Sequence, residues 1–171
     1  MSACIQIDKK RKHPERGTDM SVESVRAHFI QNNLPYEIRE MEESTETVEK
    51  AAAALGVEPA LIAKTLAFKL NERNILIVTK GDARIDNKKF KQHFQTKARM
   101  MPFDEVLEIT GHPVGGVCPF GLKQEMDIYL DERLKQFEKI YPAAGSVNSC
   151  IEITPDDLCV STQATWVDVC K

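Results

Sequence analysis

Two short apolar segments separated by three polar residues constrain the fold of this chain more than any other feature. Residues 65–70 (TLAFKL) and 74–79 (NILIVT) have the β-branched and aromatic content of strands, and residues 71–73 lie between them. This spacing is typical of a β-hairpin. A hairpin among helices is not expected in a doubly wound parallel sheet. The sequence therefore predicts an α+β (mixed α/β) fold with a mixed, largely antiparallel sheet surrounded by helices.

Helical periodicity and capping residues predict the elements around the hairpin. Apolar residues share one face from Ser21 onward and again in residues 48–55, before which Ser44 to Thr47 supply cap candidates. Asp86 is an N-cap candidate for a helix at residues 87–94. Thr154, which precedes a proline, is a strong helix start. Further helices are predicted at residues 59–64, 103–109 and 132–141, and further strands at residues 36–40, 125–131, 146–153 and 165–169.

Length and composition set the broad class of protein. A chain of 171 residues with 42% hydrophobic and 29% charged residues suits one globular domain, predicted over residues 20–171 after a polar, basic tail at residues 1–19. No apolar run approaches 18 residues and the N-terminus has no apolar signal core, so neither a membrane span nor a secretory signal is predicted. We expect a cytoplasmic protein.

The cysteines and the standard catalytic motifs exclude several kinds of site. The five cysteines are odd in number and widely scattered, without a C-x-x-C pair or a Cys/His pair at zinc-finger spacing, so reduced thiols and no metal are expected. The chain also has no phosphate-binding P-loop, no dinucleotide-binding glycine motif, no G-x-S-x-G and no H-E-x-x-H. No cofactor is predicted.

Two basic stretches stand out against a net charge of −3. The tail carries residues 9–12 (KKRK), which fit a localisation signal, a nucleic-acid contact or, as we favour, a solvated tail. Residues 80–99 hold seven Lys or Arg against two Asp, a net charge of +5. That stretch is either a solvated helix face or a phosphate-contacting face, whose candidate contacts are Lys80, Arg84, Lys88, Lys89 and Lys91.

A glycine-rich segment at residues 111–121 (GHPVGGVCPFG) is predicted to be an ordered loop. Its four glycines and two prolines alternate with apolar residues, a composition that a flexible linker does not have. Cys118 and His112 within it form a candidate nucleophile–base pair, although a small buried thiol is the commoner role of such a cysteine. Lys64, predicted between a helix and a strand, either places a point charge in a cleft or interacts with the helix dipole; the residues alone favour the second.

Three segments together resemble the YbaK/prolyl-tRNA synthetase editing-domain family. They are residues 47–68, which contain A-x-x-L-G-x-x-P-x-x-I-x-K-T-L, residues 111–122 with the glycine loop, and residues 143–158 (AAGSVNSCIEITPDDL). The resemblance spans nearly everything from Ser21 to Val169. It implies a single domain around a mixed, strongly curved sheet. It also implies a free-standing deacylase that hydrolyses the ester of a mischarged aminoacyl-tRNA.

The resemblance assigns roles to individual residues. Lys64 matches the family lysine that approaches the terminal adenosine and the ester, and Gly115 and Gly116 match the loop that cradles the carbonyl oxygen. Water and the 2′-hydroxyl of the tRNA would then share the chemistry, with Lys64 as an electrostatic anchor. The remaining candidates for substrate binding are His112, Val117, Cys118, Pro119, Gly145, Ser146 and Asn148.

The implied substrate is an aminoacyl-tRNA, with tRNA(Pro) carrying a small amino acid such as Ala or Cys as the first candidate. A synthetase is a further candidate partner, whereas DNA is not expected. The alternative is a non-catalytic module of the same fold that binds tRNA acceptor ends or a synthetase. A third possibility is a thiol hydrolase with Cys118 as its nucleophile.

Overall fold

The predicted hairpin lies inside a five-stranded sheet. A computed structural model describes residues 19–171; the predicted basic tail, apart from its last residue, lies outside that range. β2 (Ile62–Lys69) and β3 (Asn74–Lys80) pair antiparallel. With β4 (Asp127–Asp131), β5 (Tyr141–Pro142) and β7 (Thr165–Val167), the strand order of the sheet is β5-β2-β3-β4-β7. β3 is covered on both faces, and its residues 75–78 are completely buried, so the sheet forms the core of the domain.

The domain is a mixed α/β fold, as predicted, but the sheet is not largely antiparallel. β4, β5 and β7 all join it by parallel pairing. Only the hairpin is antiparallel there, while β1 (Arg39–Glu40) and β6 (Ser149–Cys150) form a separate antiparallel pair. A hairpin has a local turn signal, whereas parallel strands are joined by long crossovers that leave no such signal in the sequence.

Within residues 19–171, five α-helices surround the sheet, and three of them begin at side-chain caps. They are α1 (Asp19–Gln31), α2 (Val48–Leu55), α3 (Asn87–Phe94), α4 (Phe103–Thr110) and α5 (Pro155–Thr162). Thr47, Asp86 and Thr154 each accept a hydrogen bond from a backbone N–H in the first turn of the following helix, which confirms the predicted starts. No helix in residues 19–171 is both long and apolar enough to cross a membrane.

Two predicted helices are wrong in type or extent. The segment that opens with Pro59 is a single 3₁₀ turn (Pro59–Leu61), and Lys64 lies inside β2 rather than at a helix end. The segment predicted as a helix at residues 132–141 holds only a 3₁₀ helix (Glu132–Gln136) and ends in β5. The strands predicted at residues 36–40 and 146–153 shorten to β1 and β6. Short segments of this kind take their form from tertiary pairing more than from propensity.

Candidate active site

A cavity of about 410 Å³ opens at the outer edge of β2. Its walls come from β2, α2, residues 45–47, residues 100–106, the glycine loop, and the segment from Tyr141 to Cys150. Lys64, Gly115 and Val117 are the predicted site residues that line it. All three sequence segments that carry the family resemblance therefore line one cavity. The first two contribute predicted site residues, and the third contributes residues that were not predicted, among them Ser149 and Cys150.

Lys64 is half-buried, and its ammonium donates a hydrogen bond of 2.5 Å to the carbonyl oxygen of Ala83. Burial lowers the pKa of Lys64, because removal from water disfavours the charged form, while Asp82 opposes and Arg84 reinforces that shift. β2 fixes the main-chain end of the Lys64 side chain, and the carbonyl of Ala83 binds its ammonium group. The side chain therefore presents a positioned cation beside the cavity.

Gly115 and Gly116 shape the loop in different ways. The N–H of Gly116 donates to the carbonyl of Pro113 at 2.9 Å, which closes a four-residue turn with Gly115 at its third position and φ at +89°. A turn with positive φ at that position favours glycine. A Cβ on Gly116 would lie 2.6 Å from the carbonyl carbon of Ser146, so this glycine permits close contact between two loops. Gly116 itself does not line the cavity.

His112 is fully buried and joins the glycine loop to α1. Its Nε2–H donates to the carbonyl of Phe120 at 2.7 Å, so Nδ1 accepts from the hydroxyl of Ser21 at 2.6 Å. Burial lowers the pKa of His112, which keeps the imidazole neutral. It does not line the cavity, and its observed contacts are those of a positioning group within the loop.

Neither Cys118 nor Cys150 has the surroundings of an activated cysteine nucleophile. Cys118 is fully buried, and burial raises the pKa of its thiol to about 12, so the reactive thiolate does not form near neutral pH. The thiol-hydrolase interpretation is therefore wrong. Cys150 lines the cavity, but burial raises the pKa of its thiol as well. It contributes a small apolar wall.

Most of the segment after β5 lies outside the cavity lining and is held by hydrogen bonds to neighbouring residues. The N–H of Gly145 donates to the carbonyl of Gly116 at 3.1 Å, and the hydroxyls of Ser146 and Ser149 lie 2.7 Å apart. The side-chain amide of Asn148 donates to the carbonyl of Met41. Of these residues only Ser149 lines the cavity. Pro119 is buried and borders a separate polar groove. The substrate-binding roles of the residues outside the cavity stay predictions.

The predicted phosphate-contacting residues fall into two groups. Lys80 pairs with Asp82 at 3.1 Å, and Lys89 pairs with Asp168 at 2.9 Å, so both charges are partly neutralised. The other three, Arg84, Lys88 and Lys91, are exposed and form no ion pair within the part of the chain that the structure describes. Arg84 directly follows Ala83, whose carbonyl accepts from the Lys64 ammonium, so Arg84 lies on the side of the cavity that carries this lysine.

Sequence reasoning missed most of the apolar lining of the cavity. The residues not predicted include Thr45, Thr65, Met101, Val106, Tyr141 and Cys150. Met100, Phe103 and Val114 also line it while remaining 55%, 78% and 43% exposed, so they form an apolar rim. Exposed apolar side chains of this kind mark binding sites, but a single sequence does not show which ones are exposed. Among residues 19–171, no cluster of metal-ligating side chains is present.

A family model described as the aminoacyl-tRNA editing domain matches residues 42–159, which include every wall of the cavity. The protein YwhH of Bacillus subtilis is 52% identical over 154 residues, covering 89% of this chain and 98% of YwhH. EbsC of Enterococcus faecalis, named for Cys-tRNA(Pro)/Cys-tRNA(Cys) deacylation, is 29% identical and covers 81% of this chain and 87% of EbsC.

A solved structure supports the same relationship. A crystal structure described as a trans-editing enzyme for prolyl-tRNA synthetase superposes with a TM-score of 0.83 at 29% sequence identity, covering 88% of this chain and 97% of that one. The family model, which matches residues 42–159, covers more than half of the chain. The chain therefore belongs to the aminoacyl-tRNA editing domain family.

Proposed function

We propose that this protein is a trans-editing deacylase, which hydrolyses the ester between a non-cognate amino acid and a tRNA. The observation that carries the proposal is the convergence of Lys64, Gly115 and Val117 on one mostly apolar cavity at the outer edge of β2. A cavity with few polar groups excludes bulk water and strengthens the electrostatic effect of those groups. We also propose a cytoplasmic location, where charged tRNA is found.

The proposed chemistry needs neither a covalent intermediate nor a cofactor. An aminoacyl ester is an activated acyl group, so a positioned water molecule can attack it once the developing oxyanion has hydrogen-bond donors. Lys64 supplies a fixed positive charge close to the ribose and phosphate of the terminal nucleotide. The 2′-hydroxyl of that nucleotide can help to position the water.

We propose tRNA(Pro) carrying Ala or Cys as the first substrate to test. The names of EbsC and of the trans-editing structure both refer to proline tRNA or its synthetase. The walls include several small side chains, among them Ala51, Ala63, Ala67 and Cys150, which suit a small acyl group. A pocket selects a size by only about 1–3 kcal/mol per methylene, so several small amino acids belong in the first assay.

The test is deacylation of a panel of mischarged tRNAs by the wild-type protein and by Lys64→Ala. The panel contains Ala- and Cys-tRNA(Pro) together with Ser and Thr esters. We expect one ester to be hydrolysed and its kcat/KM to fall at least 100-fold in Lys64→Ala. Lys69→Ala is the matched control, because Lys69 lies on the same strand but pairs with Glu105 and does not line the cavity. Binding of tRNA without hydrolysis of any ester contradicts the proposal and leaves the binding module.

A further inference from the structure

The outer edge of β2 is paired with other segments at both ends of the strand, and a gap without a partner segment lies between them. β5 pairs with β2 at Ile62 and Ala63. At the other end, Met101 N–H donates to the carbonyl of Ala67, and Lys69 N–H donates to the carbonyl of Arg99, both at 2.9 Å. The segment of β2 between Ala63 and Ala67 borders the cavity. It is therefore an edge strand with a gap in its cover.

The main-chain groups of Thr65 face that gap. In an antiparallel pair, the N–H and C=O groups of successive residues point alternately toward the partner strand and away from it. Ala67 and Lys69 point away from β3, since they bond to residues 99–101 instead. Thr65 has the same parity, and it lies opposite Val78 in the register of the hairpin. Its N–H and C=O accordingly point outward, and Thr65 lines the cavity.

The glycine loop offers a less complete set of donors than the sequence suggested. The N–H of Gly116 is already used within the loop, where it donates to Pro113, and the carbonyl of Gly116 accepts from Gly145. Of the two glycines expected to cradle the carbonyl oxygen, Gly116 is thus occupied, which leaves the N–H of Gly115 and a donor elsewhere along the cavity wall as the candidates. The N–H of Thr65 has no loop or side-chain acceptor within residues 19–171, and the register of the hairpin directs it away from β3, so a strand rather than a turn holds it in place.

We propose that Thr65 is a catalytic residue that acts through its main chain, a role that rests on the deacylase function proposed above. The aminoacyl group lies along the gap as one residue of an added antiparallel strand. Its α-ammonium donates to the carbonyl of Thr65, and its ester carbonyl accepts from the N–H of Thr65. When water attacks the acyl carbon, the carbonyl electron pair moves to the oxygen that this N–H holds. The C–O bond to the ribose then breaks, the ribose oxygen takes up a proton from the water, and the free amino acid leaves.

The direct test uses a stable amide analogue of the substrate, 3′-alanylamino-3′-deoxyadenosine, followed by amide NMR. Upon saturation we expect the Thr65 amide resonance to shift and its hydrogen exchange to slow at least tenfold, while the Gly116 amide, already bonded, exchanges at an unchanged rate. If the analogue binds and the Thr65 amide is unaffected, the role of Thr65 is overturned but a deacylase can remain. If the analogue does not bind at all, the proposed function and this role fail together.

The kinetic test removes the N–H alone. In a Thr65→Val background, position 65 is filled by the α-hydroxy acid of valine. This substitution turns the peptide bond between positions 64 and 65 into an ester, which removes the N–H and keeps the side chain. We expect kcat to fall about 100-fold, the usual effect of losing one oxyanion donor. The matched control replaces Gly115 by glycolic acid, which removes the N–H of the alternative donor. Equal losses at both positions, or a loss only at position 115, would overturn the proposal. Thr65→Val alone is the reference for this loss, so that the comparison isolates the main-chain N–H.

Discussion

At the scale of single residues, neighbouring positions on β2 carry different parts of the site. The side chain of Lys64 ends at the carbonyl of Ala83, whereas the main chain of Thr65 faces the cavity. Successive side chains point to opposite faces of a strand, so the side chains of Lys64 and Thr65 lie on different faces of the sheet. The charge and the proposed carbonyl-binding group are therefore held by the same rigid element, which fixes the distance between them.

The hydroxyl of Thr65 predicts a substitution that stabilises the protein. Its Oγ1 is buried and is the one such side-chain N or O atom without a hydrogen-bond partner among the described residues. Since an unpaired buried hydroxyl opposes folding, Thr65→Val should raise the free energy of unfolding by about 1 kcal/mol. Thr110→Val is the control, because the hydroxyl of Thr110 donates to Val106 and accepts from His112 N–H. Urea unfolding should show the control losing about 1–2 kcal/mol; a loss in both variants would contradict the prediction.

His112 predicts how stability depends on pH. Burial lowers its pKa, so the unfolded chain binds the proton more readily than the folded protein does. The stabilisation is therefore complete above the unfolded pKa of about 6.5 and is lost as the pH falls from there toward the folded pKa. One such group contributes a slope of at most about 1.4 kcal/mol per pH unit. The measurement is the free energy of unfolding in urea at pH 5.5, 6.5 and 7.5.

The control for this pH dependence is His112→Gln, which cannot take up a proton. We expect the slope between pH 5.5 and 6.5 to decrease in that variant. Burial also lowers the pKa of His28, so His28→Gln measures the second contribution of the same sign. An unchanged slope in His112→Gln would show that the buried imidazole is not the group that titrates.

At the scale of elements, the cavity depends on three loops that are locked to one another. The N–H of Gly145 bonds to the carbonyl of Gly116, and the N–H groups of Met41 and Thr45 bond to the segment at residues 147–148. Main-chain bonds therefore tie the glycine loop and the segment before α2 to the segment that ends in β6. A displacement of one loop should move the wall of the cavity that the others form.

Gly116→Ala tests this coupling. Its Cβ would lie 2.6 Å from main-chain atoms of Ser146, which cannot turn aside as a flexible side chain can. We expect a loss of about 2–3 kcal/mol in the free energy of unfolding, within the range for overpacking, and a clear fall in deacylation. Gly56→Ala is the matched control: φ is +68° but the Cβ meets nothing within 4 Å. It should cost about 1 kcal/mol and leave the activity unchanged. Equal activity in the two variants would contradict the coupling.

Elements with a local signal were predictable from the sequence, and those made by distant pairing were not. The hairpin, the caps at Thr47 and Asp86, and α4 all follow from neighbouring residues. The parallel strands do not, because their partners lie far along the chain. For the same reason the sequence predicts Lys64 at a helix end, although pairing with β3 extends the strand back to Ala63 and pairing with β5 extends it to Ile62. Propensity does not register such pairing.

Site residues could be predicted from the sequence where they belong to a motif within one continuous segment. Lys64, Gly115 and Val117 belong to such motifs and do line the cavity. His112 and Cys118 belong to the same loop but face the core, since a glycine-rich motif does not reveal which way each side chain points. The apolar rim and Thr65 carry no motif at all. Their contribution depends on exposure and on the gap in the cover of β2, which only the three-dimensional structure shows.

At the scale of the whole molecule, any attraction to tRNA has to be local. The net charge is −3, so binding to phosphates requires a basic surface against a background that repels them. Arg84 is exposed and its charge acts on Lys64 beside the cavity. Lys135, by contrast, lies over the ring of Trp166 at 4.6 Å, on the β7 side of the sheet. The cavity is at the opposite edge, along β2.

This asymmetry predicts which lysine or arginine matters for tRNA binding. Arg84→Ala should weaken the binding of tRNA and reduce the slope of log K against log salt by about one, since one phosphate contact and its released counterion are lost. Lys135→Ala removes the same charge from the other edge and should change neither the affinity nor the slope. Both are measured by fluorescence anisotropy with a labelled acceptor-stem RNA between 50 and 200 mM salt, a range over which phosphate-dependent binding weakens strongly. If the two variants lose affinity equally, net charge rather than position governs the encounter, and the tRNA does not approach along the edge that carries Lys64.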